Sequence, residues 1–528
     1  MKKNDSGKPS LDWTVFALSG GFFVLFIIAY VINRDLVGNF VNDSFAFSVK
    51  YFGSFWQILL LATFILAIII AFSKYGDIRL GKQAKPDMGY FRWAAIIGTT
   101  LMAAGGIFWA AAEPMYHFLS TPPFFGDIES GTAEAVSPAL AQSFLHWGFL
   151  SWAINGTLSV IILMYAHYDK GAPLKPRSLL YPIFGDKIMN KGGVGAFTDT
   201  FSIIAVAAGT IGPIGFLGLQ GGYAFNALFG IPNNFLTHTL IIVGLVVVAT
   251  ISVVSGVTRG IQLLSRFNVL LVIVLFVFIF LLGPGIFIVN EFIGGLGLYL
   301  QSIPAMSTFQ GAPDWLGGWT VFFFGWFLGY GPMMAVFVSS ISRGRTIREL
   351  VLTIAVLAPL LMNFWFTVVG GTGIFYELNN PGVISDALSV AGEPAAMIAI
   401  SQQLPLGTIL SYLFLFSTII FVITSADAMS LSISIAITGN DNPQKMLRAF
   451  WAIVMGLVAV ILVAFGEGGI GALQSFIVAT AVPVSILLFT NLWTAPKVVK
   501  ELYKEHKQSL DQKEQVEEEE EEDLPANF

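Results

Sequence analysis

Cysteine is absent from the 528 residues, which excludes a disulfide framework and a thiolate metal site. Charge is scarce as well. Charged residues make up 11% of the chain, against 55% hydrophobic residues and a mean hydropathy of +0.76. Soluble domains carry roughly 25% charged residues, so an ordinary soluble domain is excluded. The five histidines are His117, His146, His167, His238 and His506. No two stand at metal-ligand spacing, and no H-E-x-x-H is present, so packing or interfacial hydrogen bonding is expected of them. The lack of a P-loop argues against direct ATP hydrolysis, and the lack of a nucleophile–base pair or metal cluster argues against an enzyme. Basic residues are dispersed among short connections rather than gathered into a nucleic-acid footprint.

What the chain does have is long apolar blocks, such as 56–72, 240–257 and 269–289. Crossing a hydrocarbon core of about 30 Å takes about 20 helical residues, and in lipid only an internal hydrogen-bond ladder satisfies the backbone. Blocks and breakers together predict an all-α, polytopic membrane protein with about twelve spans. The expected helices are 11–32, 52–73, 93–112, 138–166, 196–228, 234–255, 262–290, 315–341, 350–375, 405–437, 449–466 and 470–494. Those at 138–166 and 405–437 exceed the minimum span and are expected to be tilted or broken. Segment 285–310, too long for a turn, suits a helix lying along the outer interface.

Lys and Arg placement tests this count. With the N-terminus inside, alternate connections should be basic. They hold Lys74, Arg79, Lys82 and Lys85; Lys170, Lys175, Arg177, Lys187 and Lys191; Arg259 and Arg266; Arg343, Arg345 and Arg348; and Lys445 and Arg448. The opposite connections hold only Arg34 and Lys50. Both termini are therefore expected in the cytoplasm. The polar start, Met1 to Asp5, leads into a first apolar stretch without an A-x-A-like exit, so a cleaved signal peptide is not expected. Residues 1–10 read as an N-terminal tail, 11–495 as the membrane domain, and 496–528 as a charged, disordered C-terminal tail containing the acidic run Glu517–Asp523.

Three segments carry the features of a solute pathway. Thr99 to Trp109 is rich in small residues, including Ala103, Gly105 and Gly106, and ends at Glu113-Pro114. Such a stretch permits close helix packing or a local break whose backbone faces a ligand. Trp319 to Pro332 is aromatic, with Trp326 and Tyr330 on one face and Phe327 beside them. Gly329, Gly331 and Pro332 are expected to loosen the helix after them. Rings of this kind attract a quaternary ammonium group by about 2 kcal/mol when it is desolvated, and they also make packing stripes. Thr424-Ser425-Ala426-Asp427 places two hydroxyls and an acid within a span, suiting a hard monovalent cation, or else hydroxyl back-bonding with Asp427 capping a break.

In order along the chain stand Ala111-Ala112-Glu113-Pro114, Ser143-Phe144-Leu145-His146-Trp147-Gly148 with Trp152-Ala153-Ile154, Lys170-Gly171-Ala172-Pro173, Ile341 to Glu349, and Thr424 to Asp427. From about residue 10 to 495 the chain resembles the betaine/carnitine/choline transporter family. The resemblance implies a LeuT-like core of two inverted five-helix repeats, about 93–290 and 315–494, preceded by two extra helices. It implies a substrate near the midplane between the third and eighth helices. The family's aromatic box falls on Trp326, Phe327 and Tyr330, with Phe322 nearby and Ala103 and Gly105 opposite. A further patch falls on Trp147 and Trp152. The sodium site falls on Thr99, Met102, Phe421, Thr424 and Ser425. The family also implies a possible homotrimer.

Three departures from the family pattern stand out. Phe327 and Tyr330 replace box tryptophans, Leu101-Met102-Ala103-Ala104-Gly105 replaces Gly-x-Gly-x-Gly, and Asn155 stands where a Tyr is usual. No acid lies in 99–108 to neutralise a bare cation, which favours a zwitterion. No Lys or Arg lies between Lys191 and Arg259 to stand in for sodium, which favours sodium coupling over exchange, with proton coupling open. The expected function is import of a quaternary-ammonium or related zwitterionic osmolyte in the lipid bilayer of the cell membrane, with no cofactor beyond the coupling ion. The alternatives are a small amino acid or other nitrogenous zwitterion as cargo, or a solute sensor without flux.

Overall fold

The computed structural model describes residues 11–102, 105–190, 192–255, 258–440, 443–465 and 470–522. Every regular element among them is helical; an isolated antiparallel bridge joins Arg79 and Thr346. In chain order the helices are α1 (Trp13–Ile32), α2 (Arg34–Phe72), α3 (Tyr90–Met102), α4 (Gly105–Leu119), α5 (Val136–Trp147), α6 (Phe149–Gly156), α7 (Leu158–Met164) and α8 (Tyr181–Phe184). The long α9 (Gly193–Phe229) leads to α10 (Phe235–Ser255), α11 (Thr258–Leu282) and α12 (Gly285–Ser307). Then come α13 (Pro313–Leu316), α14 (Phe322–Ile341), α15 (Ile347–Leu352), α16 (Ala358–Phe366), α17 (Thr372–Asn379), α18 (Ser385–Ala391) and α19 (Ala396–Gln403). The last four are α20 (Gly407–Thr438), α21 (Lys445–Val463), α22 (Ile470–Phe489) and α23 (Asn491–Glu522).

Among the described residues, 12 segments are long and apolar enough to cross a membrane. They follow the expected spans with one exchange. Gly285–Ser307 is among them, and the expected span 93–112 is not, its residues 103–104 lying outside the described ones. If Gly285–Ser307 crossed as well, Arg343, Arg345 and Arg348 would change sides relative to Arg259 and Arg266. The charge rule alone would thus place α12 along one face; in the structure it packs on α5.

Burial sorts the segments into a centre and a perimeter. The hydropathic windows of Ala133–Asp169 and Gly193–Phe229 are 100% buried, and that of Pro313–Ile341 is 83% buried. Trp13–Ile32, Phe235–Ser255 and Leu263–Leu282 are 28%, 22% and 22% buried. Apolar side chains on the outer helices are left for lipid, so the site-bearing helices are enclosed by protein.

The central helices are interrupted, within 138–166 as expected but not within 405–437 or at Pro332. The segment from Val136 breaks at Gly148 and at Thr157. At Gly148 a Cβ would stand 2.1 Å from the Phe144 carbonyl oxygen, so only glycine fits the turn. A π-turn at Gly317–Val321 precedes α14, and two more, Thr353–Leu357 and Thr367–Gly371, divide α15, α16 and α17. In contrast, α20 runs unbroken for 32 residues, and α14 continues through Gly329, Gly331 and Pro332. The expected loosening at Pro332 lies instead ahead of α14, where the extra residue of a π-turn shifts the helix register.

Two features hold the ends together. The turn before α15 is clasped to the connection after α2: Leu80 N–H donates to Arg345 O (2.9 Å), Gly344 N–H to Leu80 O (2.8 Å) and Ile347 N–H to Ile78 O (3.0 Å). The second is at the C-terminus, where the structure corrects an expectation. The segment read as a disordered tail continues as α23 to Glu522. It grows from a packed first half, with Ala495, Val498, Val499 and Leu502 buried, and Lys497 and Glu501 stand one turn apart on it. Lys170 binds Glu501 (2.9 Å) and Glu505 (3.2 Å), and Tyr165 donates to Glu501 (2.6 Å).

Candidate functional site

The rings of α14 and of the π-turn before it follow helical spacing. Trp319, Phe322 and Phe323, Trp326 and Tyr330 recur every three or four residues and so share one face. Phe322 stacks on Trp326 with centroids 5.5 Å apart. Across from them, α5 ends at Trp147, whose ring stands 5.8 Å from Trp326 at 80° and 5.4 Å from Phe327 at 81°. Trp147 therefore meets both rings nearly at right angles, as adjoining walls of a box do. Phe216 of α9 comes within 5.9 Å of Trp326, and Trp109 of α4 within 5.7 Å of Phe322. Trp109, Trp147, Phe216, Phe322, Phe323, Trp326 and Phe327 are buried, and Trp319 and Tyr330 partly so.

Polar anchors fix the arrangement. Trp326 Nε1 donates to the Gly209 carbonyl of α9 at 3.1 Å. A Cβ at Gly209 would stand 2.9 Å from the Tyr330 ring, so glycine permits this approach. The Tyr330 hydroxyl lies 3.4 Å from Thr210 Oγ1. Trp152 lies on α6 beyond the Gly148 break and has no ring contact with the cluster among the described residues. Its Nε1 is buried without a partner there, as is Asn155 Oδ1 three residues on. The structure thus brings Trp147 to the expected box residues Trp326 and Phe327 and leaves Trp152, expected to share a patch with Trp147, beside them. Gly105 opens α4, Ala103 lies outside the described residues, and the same holds for the side chains of Thr99 and Met102.

On α20, Phe421, Thr424 and Ser425 are half-buried along one stretch. The Thr424 hydroxyl donates to the carbonyls of Ile420 (2.8 Å) and Phe421 (3.3 Å), which leaves its own lone pairs as acceptors. Hydroxyl and carbonyl oxygens fit a hard cation such as sodium and offer nothing soft. Asp427 belongs to neither expected role. It caps no break, because α20 is continuous, and its carboxylate is held by Arg448 Nη2 of α21 at 2.8 Å.

A second cluster was missed. Glu113 Oε1 of α4 lies 2.5 Å from His146 Nδ1 and 3.3 Å from His117 Nε2, while Oε2 accepts the Trp147 indole N–H at 2.7 Å. His146 Nε2 faces Thr320 Oγ1 (2.9 Å) and Gln142 Nε2 (3.0 Å). The expectation of hydrogen-bonded histidines holds, and the fold adds a proximity that sequence spacing does not show. Donor atoms of Glu113, His117 and His146 lie within 4.8 Å of one another. The 2.5 Å contact and the engaged second nitrogen of His146 make this a closed hydrogen-bond network. The legible signal was Glu113 and His117 four residues apart on a helix, facing the same way.

Comparison with known proteins agrees with the sequence pattern. The profile of the BCCT (betaine/carnitine/choline family transporter) group matches residues 14–504. Glycine betaine transporter 2 of Vibrio parahaemolyticus is 50% identical over 491 residues, covering 93% of this chain and 90% of that protein. A probable glycine betaine transporter of Desulfitobacterium hafniense is 32% identical over 492 residues, covering 92% and 97%. An ectoine/hydroxyectoine transporter of Virgibacillus pantothenticus is 29% identical over 486 residues, covering 91% and 95%.

Proposed function

We propose that this chain, which belongs to the betaine/carnitine/choline family of transporters, imports a betaine-type zwitterion across the cytoplasmic membrane, driven by sodium. The observation that carries the reading is the right-angled meeting of Trp147 with Trp326 and Phe327 in a buried interior. An organic ammonium gains most from ring faces where water is excluded, by about 2 kcal/mol or more for a desolvated contact. In the described arrangement the rings touch one another, so the ligand enters by separating them. Separation of α5 from α14 is the motion that alternating access asks of a site between two helix groups.

The zwitterion's carboxylate needs donors. The buried indole N–H of Trp152 is without a partner among the described residues and supports such a role. The oxygens of Phe421, Thr424 and Ser425 support sodium as the driving ion. Both termini lie inside in this reading, as the Lys and Arg alternation requires.

A second cargo reading has its own observation. Asn155 Oδ1, buried and unpartnered among the described residues, accepts an N–H that a trimethylated ammonium lacks. It favours a zwitterion retaining N–H groups, as ectoine does. Uptake of labelled glycine betaine and of ectoine into proteoliposomes, with and without an inward sodium gradient, separates the readings. Betaine flux unaffected by replacing sodium removes the coupling, and preference for ectoine over betaine selects the second cargo.

A further inference from the structure

The Glu113 cluster is buried in a region without positive charge. Glu113, His117 and His146 are each 0–1% exposed. The other titratable groups on the elements packed about α4 and α5 are Tyr116, Glu134, Glu291, Tyr299, Asp314, Tyr376, Glu377 and Glu393, together with Asp199, Tyr223 and Tyr330 on α9 and α14. None of these elements carries a lysine or arginine. Glu291 is taken up by Ser137 (3.2 Å), and Glu377 accepts from Gly382, Ile384 and Ser385.

Hydrogen-bond roles fix where protons sit. Gln142 Nε2 is an amide donor, so His146 Nε2 accepts from it and Nδ1–H points to Glu113. Oε2 is taken by the Trp147 N–H. With His117 neutral, the group then carries one negative charge with no cation beside it, which is costly in an apolar interior. One more proton, on Glu113 or on His117 at 3.3 Å, removes that charge. On His117 it would also meet the ring of Trp319, 4.6 Å away.

From this arrangement we propose that Glu113, His117 and His146 form a buried proton-binding site in the wall of the substrate chamber, with Glu113 positioning Trp147. The link to transport rests on the role proposed above for Trp147. When the carboxylate is charged, its bond to the indole N–H is charge-assisted and strong. Taking up a proton weakens that bond and loosens the ring that meets Trp326 and Phe327. Substrate binding therefore tightens as pH rises through the transition, by up to about tenfold per pH unit, the limit for one linked proton.

Two measurements on the full-length protein test this. Infrared difference spectra of ligand-free protein between about pH 5 and pH 8, the range histidine-linked switches span, should contain a titrating carboxyl or imidazole signal. That signal is expected to vanish in Glu113→Gln and to shift in His117→Gln. Glycine betaine affinity over the same range should follow the same transition in the wild type and lose it in Glu113→Gln. Where Glu113→Gln does not fold, His117→Gln and His146→Asn carry both measurements. A spectrum unchanged by these substitutions overturns the site, as does retention of stoichiometric zinc that depends on His117 and His146. Absence of betaine binding at every pH sinks the transport reading while the spectra still decide the proton site.

Discussion

Arg448 of α21 donates to Asp427 of α20 at 2.8 Å, with both side chains about nine-tenths buried. The acid that sequence alone offers as a functional candidate is a tie between two helices, one turn beyond Thr424 and Ser425. Removing one partner of a buried pair leaves the other charge stranded, which typically costs about 3–5 kcal/mol. Arg448→Met should therefore lower the thermal unfolding temperature of the purified protein sharply. Arg448→Met combined with Asp427→Asn should recover most of the loss. Equal losses in the single and double variants would show that the pair does not act as a unit.

The ring corner predicts a graded effect on binding. Trp326→Ala and Trp147→Ala each remove one face worth about 2 kcal/mol, close to thirtyfold in affinity for a trimethylammonium zwitterion. Trp326→Phe keeps a ring but loses the donor to Gly209, so a smaller loss is expected. Substrate-dependent tryptophan fluorescence titration measures both. Unchanged affinity in the two alanine variants would place the substrate elsewhere.

Thr424→Ala and Ser425→Ala should raise the sodium concentration needed for half-maximal uptake, while leaving substrate affinity at saturating sodium nearly intact. Each removes one hard oxygen acceptor from a site that would need several. Sodium activation curves in proteoliposomes give the result directly. A curve identical to wild type for both variants would take α20 out of the ion path.

The docking of α23 has a pH signature. Hydrogen bonding to Glu501 holds Lys170 above the usual lysine range. A base whose folded value is raised contributes fully below its unfolded value and loses that contribution only as pH climbs through the raised one. Protease protection of α23 should thus stay constant from neutral pH into the mildly alkaline range. Lys170→Ala should reduce protection at every pH in that range. Protection that falls steadily above neutrality would contradict the assignment of Lys170 as the anchor.

The spans are legible in the sequence because lipid imposes length and hydropathy on each helix separately, and Lys and Arg placement checks their count. The ring site is legible only in part. Trp326 and Tyr330 share a face by spacing, but bringing Trp147 to Trp326 requires knowing which helices pack, which only the structure supplies. The Glu113 network was hidden because His146 is 33 residues away in sequence and arrives on another helix. The tail was misread from composition. An acidic run cannot build a core, yet it extends a helix already started by Ala495, Val498 and Leu502.

The backbone bonds joining Ile78 and Leu80 to the turn at 344–347 have a mechanical meaning. They tie the strip leaving the second span to the turn that follows the aromatic helix. If that turn tilts as the chamber opens, the strip must travel with it or three main-chain bonds must rupture together. If the proposed transport involves such a tilt, the first two helices would be carried with it.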